Sequence, residues 1–129
     1  MSEVGDDVKV DEEVQWTPWN IILACFLFVL AGVAEIMGGW LVWVTFRGDE
    51  KKPWYFAILG SIVLILYGFI PVLQPMNEFG RIYAVYGGFF IVMSFLFGWM
   101  LDGNKPDMGD VCGGSIALAG VFVIMLWPR

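Results

Sequence analysis

The chain has 129 residues, 59% of them apolar and 16% charged, with a mean hydropathy of +0.74 and a formal net charge of −6. Soluble domains are close to half apolar and a quarter charged, so this composition excludes an ordinary water-soluble domain and points to a chain built for lipid. With no histidine and only Cys25 and Cys112 as cysteines, the usual zinc, haem, Ser-His and Cys-His chemistries are excluded as well.

Residues 1–18 form an acidic tail. Glu3, Asp6, Asp7, Asp11, Glu12 and Glu13 face a single base, Lys9. Such a segment repels itself and has little apolar surface to bury, so it is expected to be disordered. It repels nucleic acid, and no basic cluster or RNA-binding motif offsets it. A secretory signal would begin with positive charge, so the first apolar run is expected to stay as a span.

Four spans follow in a membrane domain of residues 19–129. Span one, about 19–46, is interrupted only by Glu35 and is longer than a hydrocarbon core of about 30 Å requires. The loop Arg47–Pro53 separates it from span two, about 54–73, which is closed by Pro71 and Pro75 with Gln74 between them. Span three, about 79–101, opens at Glu78 and Arg81. After the turn Asp102–Asp107, span four covers about 111–127. Trp16, Trp19, Trp43, Trp54, Tyr55, Trp99 and Trp127 fall near span ends, where amphipathic rings prefer the headgroup level. Lipid offers no water to backbone groups, so the spans are expected to be helical and the fold an all-α, compact four-helix bundle. Lysine and arginine divide four against three between the two faces, leaning towards both termini outside. So even a division suits insertion both ways and pairing as an antiparallel homodimer, and equally a single orientation set by the Arg47, Lys51 and Lys52 cluster close to the membrane. Both cysteines are expected to act as small apolar residues without a disulfide.

Glu35 is the one acidic or basic side chain deep inside a span, about 16 residues after Trp19 and about 12 before Arg47. Burial disfavours the charged form of a carboxyl group and a neighbouring cation favours it, so such a group can trade a proton for a cation. The bland reading is a protonated glutamate that hydrogen-bonds a neighbouring helix. Positions three and four away share its face, and these are Ala31, Gly32, Gly38 and Gly39. A carboxyl in a stripe of small residues either packs closely on another helix or opens onto a cavity. Tyr83, Tyr86, Gly87, Phe90 and Ser94 share a face of span three. Tyrosine hydroxyls there could orient the carboxyl and the rings could hold a cation, or Tyr83 could simply pack near the interface. Tyr67 of span two is a further candidate.

Arg81 repels a cation and lies three residues after Glu78, so it reads as a structural or gating residue paired with that glutamate. Asp107 and Asp110 precede span four and suit the positive end of its helix, which makes Asp110 a structural or gating residue, with substrate contact the other reading. Gly113, Gly114, Ala117 and Gly120 let span four approach another helix closely, within one chain or between two. No nucleophile–base pair, metal cluster or phosphate loop appears in the sequence, so no enzyme activity, cofactor or metal is expected.

At Ala34-Glu35-Ile36, at Gly80-Arg81-Ile82-Tyr83-Ala84-Val85-Tyr86-Gly87-Gly88, and through Asp102-Gly103, Pro106-Asp107, Asp110, Gly114, Ile116–Gly120, Val123–Met125 and Pro128-Arg129, the chain resembles the YnfA family. These are small four-helix inner-membrane proteins related to the small multidrug resistance exporters. The resemblance covers roughly residues 22–129 and leaves the acidic segment unplaced. It implies an antiparallel homodimer exporting small, often aromatic, cations against protons. Glu35 would take the first-helix glutamate's role of binding substrate and proton alternately, and Gly113 and Gly120 that of the fourth-helix dimer motif. The related exporters lack the Arg-x-Tyr-x-x-Tyr run, so Tyr83 and Tyr86 carry over less firmly.

The expectation is therefore a proton-coupled exporter of small, aromatic or guanidinium-like cations, in contact with lipid, other copies of itself, substrate and protons. One rival is an accessory or assembly subunit of a larger membrane complex that docks through its acidic tail. Another is a uniporting channel, which would pass current without a proton gradient.

Overall fold

The computed structural model describes residues 16–47 and 49–129. Expectations about the first fifteen residues of the acidic tail lie outside the described residues. Helix α1 runs Pro18–Phe46, α2 Tyr55–Tyr67, α3 Phe79–Asp102 and α4 Met108–Leu126, with a short 3-10 turn at Ile70–Leu73. No strand occurs among the described residues. Counting the 3-10 turn as a continuation of α2, all four are long and apolar enough to cross a membrane. The protein is a multi-pass, all-α membrane protein.

Local chemistry sets the helix bounds. Thr17 caps α1, its Oγ1 accepting from the Asn20 backbone N–H at 3.3 Å, and Pro18 occupies the first turn, where a missing N–H costs nothing. At the other end the Arg47 guanidinium lies 5.2 Å from the centre of the Trp43 ring. Span two is not the continuous helix its hydropathy suggests. Pro71 has no N–H to give the Tyr67 carbonyl, and its ring would clash there, so the α-helix stops at Tyr67. The chain continues in tighter bonds instead, Phe69 N–H to the Leu66 carbonyl at 3.1 Å and Val72 N–H to the Phe69 carbonyl at 3.2 Å.

Span four begins at Met108, ahead of the position its apolar run suggests, because Asp107 and Asp110 cap each other reciprocally. The Asp110 N–H donates to Asp107 Oδ1 at 2.9 Å and the Asp107 N–H to Asp110 Oδ2 at 3.0 Å. Helix α3 ends on Gly103, whose φ of 72° is the left-handed conformation that glycine adopts without steric cost.

Helix α1 packs on α2 and α3, and α4 packs on α3. Glycines set how closely. A Cβ on Gly60 of α2 would stand 2.6 Å from the Gly38 carbonyl oxygen of α1, and one on Gly38 would stand 3.0 Å from the Gly60 carbonyl oxygen. A Cβ on Gly88 of α3 would collide with Val121 and stand 3.2 Å from the Ala117 carbonyl oxygen of α4. Backbones this close gain dispersion contacts that lipid tails cannot supply. The core gathers Ala24, Phe28, Ala31, Val85, Tyr86, Val121 and Met125. The outer surface carries large apolar side chains such as Ile22, Phe26, Ile65, Leu66, Phe69 and Ile116. That inversion of a soluble protein's pattern suits lipid contact.

The Gly60→Ala variant is expected to lose about 1–3 kcal/mol, as overpacked cores do, and to show a lower thermal midpoint in detergent micelles. Gly39→Ala, where a Cβ meets open space, is expected to leave the midpoint unchanged.

Candidate functional site

Glu35 lies in the interior of α1 and is partly buried. The Tyr86 hydroxyl of α3 donates a hydrogen bond to Glu35 Oε2. Tyr67, the last residue of α2, comes within interaction range of the same carboxyl group, and Tyr83 within range of Tyr67 and Tyr86. Three helices thus bring the glutamate and three tyrosines named from the sequence into one cluster. Tyr86 is 8% exposed, whereas Tyr83 is 42% exposed and stands at the edge, its ring 4.7 Å from that of Phe79.

Helical spacing explains why Tyr86 reaches Glu35. Val85 and Tyr86 turn inward from α3, and Phe28 of α1 stacks on the Tyr86 ring at 6.3 Å and on the Phe89 ring at 5.3 Å. The Phe90 ring lies 5.8 Å from that of Tyr86, tilted to it. Two rings thus pack against the tyrosine and hold it in place.

The small residues around Glu35 divide. Ala31 lines a narrow cavity of about 10 Å³ together with Leu27, Phe28, Ile70, Pro71, Gln74, Ile82, Tyr83 and Tyr86. Gly32 leaves room for the Met93 thioether of α3. Gly38 is a helix–helix contact with α2 rather than part of a cavity wall, and Gly39 is exposed on open space. Their spacing places all four near one side of α1, but α2 and α3 take different parts of it.

Arg81 pairs with Glu78 at 2.5 Å, three residues back at the start of α3. Asp110 belongs to the α4 cap and borders an apolar groove of about 220 Å³ between α3 and α4, which Glu35 does not line. On α4, Gly113 and Gly120 are exposed with open space where a Cβ would stand, while Ala117 turns its backbone towards α3. Both cysteines are free thiols. No group of three or more histidine, cysteine, aspartate or glutamate side chains is placed to hold a metal ion among the described residues.

The sequence reading passed over two residues. Phe28 positions Tyr86 but looks like any other aromatic in an apolar run. Gln74 is 8% exposed, and its Nε2 donates to the Ala24 carbonyl of α1 at 3.2 Å. Its signal was present, a lone polar side chain between Pro71 and Pro75 at the end of an apolar span.

A family profile described as "Uncharacterised BCR, YnfA/UPF0060 family" matches residues 21–129. A UPF0060 membrane protein of Clostridium beijerinckii is 52% identical over 111 residues, covering 85% of this chain and 98% of its own. One from Herpetosiphon aurantiacus is 49% identical over 111 residues, covering 85% and 99%. The UPF0060 membrane protein YfjF of Bacillus subtilis is 47% identical over 109 residues, covering 84% and 98%. The chain belongs to the YnfA/UPF0060 family of membrane proteins. No solved structure matches it.

A hydrogen bond contributes about 0.5–1.5 kcal/mol net, so Tyr86→Phe, which keeps the ring and its stacking, is expected to destabilise the fold by about that amount or more. A double-mutant cycle with Glu35→Leu in micelles checks it. A coupling energy of about 0.5–3 kcal/mol is expected if the hydroxyl acts on the carboxyl group, and near zero if it acts elsewhere.

Proposed function

We propose that this family member is a proton-coupled exporter of small cations, aromatic or guanidinium-like, in which Glu35 exchanges a proton for substrate by alternating access. The observation that carries the reading is the cluster itself: a carboxyl group in the interior of a membrane-spanning helix, held by Tyr86 and approached by Tyr67, with Tyr83 beside the two tyrosines. A membrane protein keeps a charge-bearing group at such depth at a free-energy cost, and ion and proton paths are the common reason.

The chemistry follows from the geometry. Tyr86 fixes Oε2, and a proton or a cation would compete for the rest of the carboxyl group, beside Tyr67. Ring faces beside the carboxyl add about 0.5–2 kcal/mol each for a cation that loses its water. Proton and cation exclude each other at one carboxylate, so a site facing the two sides in turn couples their movements in opposite directions. Two copies joined through the outward face of α4 at Gly113 and Gly120, with Ala117 between them, would place two such carboxyl groups in one assembly.

Purified protein in liposomes tests the reading, using aromatic and guanidinium-like cations under inward and outward pH gradients. Cation-dependent proton movement is expected, with an apparent KM that rises as pH falls because protons compete for Glu35. Glu35→Gln is expected to abolish it. Silence from folded protein across the panel favours the accessory-subunit reading, and current independent of Glu35 and of the pH gradient favours a channel.

A further inference from the structure

Gln74 holds an arrangement that packing alone does not explain. Its Nε2 is tied to the Ala24 carbonyl at 3.2 Å, the long end of the range for such a bond. Its carboxamide oxygen is buried and has no hydrogen-bond partner among the described residues. An unpaired buried acceptor costs free energy, and in a native structure it calls for an explanation.

The position of Gln74 indicates what that state would open. Ala24, Leu27, Phe28 and Ala31 follow one another along one face of α1, and the next step of four residues reaches Glu35. Gln74 binds at the Ala24 end, about three helical turns from Glu35. Between them lies the cavity of about 10 Å³, which has room for about one water molecule and is walled here by Leu27, Phe28, Ala31, Pro71 and Tyr83. Its apolar walls would insulate Glu35 from that end of α1 while Gln74 is in place.

The segment that carries Gln74 is jointed on both sides. The α-helix stops at Tyr67, the 3-10 turn Ile70–Leu73 follows, and Gln74 itself is extended, with ψ of 141°, before Pro75. We propose that the crevice between α1, this 3-10 turn and α3 is the route by which Glu35 meets the membrane face bearing the start of α1, and that Gln74 is the gating residue that closes it. This rests on Glu35 being the exchange site. Swinging outward, Gln74 gives up one long hydrogen bond, and both of its polar atoms and the Ala24 carbonyl then meet water. The closed and open states are thereby kept close in free energy, as alternating access requires.

The test is the rate at which a small charged methanethiosulfonate reagent labels a cysteine in the crevice of the full-length protein in liposomes. Leu27→Cys supplies the probe and Leu41→Cys, beyond Glu35 and against α2, the control, each with Cys25→Ala and Cys112→Ala. Adding Gln74→Ala, which removes the side chain that fills the mouth of the crevice as well as its hydrogen bond, is expected to speed labelling at 27 about tenfold and to leave 41 unchanged. Gln74→Leu fills the same space without an unpaired acceptor and is expected to label at 27 no faster than the parent. An unchanged rate in Gln74→Ala, or an equal rise at 27 and 41, overturns the gate. Should Gln74→Ala fail to fold, faster labelling at 27 in Gln74→Leu overturns it. Labelling needs no transport, so the two readings fail separately. A response to Gln74→Ala that persists in Glu35→Gln, with no cation transport in the parent, keeps the route and removes the exporter. Intact transport without that response removes the gate alone.

Discussion

A carboxyl group among lipid-spanning helices must be answered by the protein, because the surrounding medium cannot hydrate it, and the hydroxyl of Tyr86 answers Glu35. That one bond crosses from α1 to α3. It is supported by the Phe28 and Phe90 rings packed against Tyr86, and it requires α1 and α3 to stay at a fixed height relative to each other. Gly32, which makes room for Met93, serves the same fit one turn away. The aromatic packing and the small residues on the inner face of α1 can be understood as the conditions for that bond.

Glycine does two different jobs in the bundle. At Gly38, Gly60 and Gly88 it lets backbones approach to distances that any Cβ would forbid. At Gly39, Gly113 and Gly120 it faces open space, so intramolecular packing gives no reason for it. In the first group a methyl group disturbs a helix pair, and in the second it alters only the outer contour that lipid or another chain would meet.

Much of this architecture was legible in the sequence because lipid imposes simple demands: spans of a given length, apolar throughout, with aromatic residues near their ends. Glu35 and the tyrosines could also be named, since polar side chains at that depth are few and helical spacing ties Tyr83 to Tyr86. What spacing could not convey was which neighbour each face meets. Gly38 and Gly39 belong to the same stripe as Ala31, yet one packs on α2 and the other on nothing. The break in α2 was foreshadowed by Pro71, but hydropathy is blind to a missing N–H and read the run as continuous. The early start of α4 depended on a reciprocal cap between two aspartates, which the apolar run does not show.

The early end of α2 has an electrostatic consequence. A helix that ends at Tyr67 turns its last carbonyl groups, of which that of Leu66 is met by the Phe69 N–H, towards the 3-10 turn, and their aligned dipoles carry a partial negative charge. Tyr67 is also the residue whose side chain reaches Glu35. The carboxyl group therefore lies about one tyrosine side chain away from the negative pole of a helix, a field that a continuous span would have carried on towards the headgroups. That pole favours a cation over an anion beside Glu35, and because it belongs to the main chain, replacing the glutamate would leave it in place.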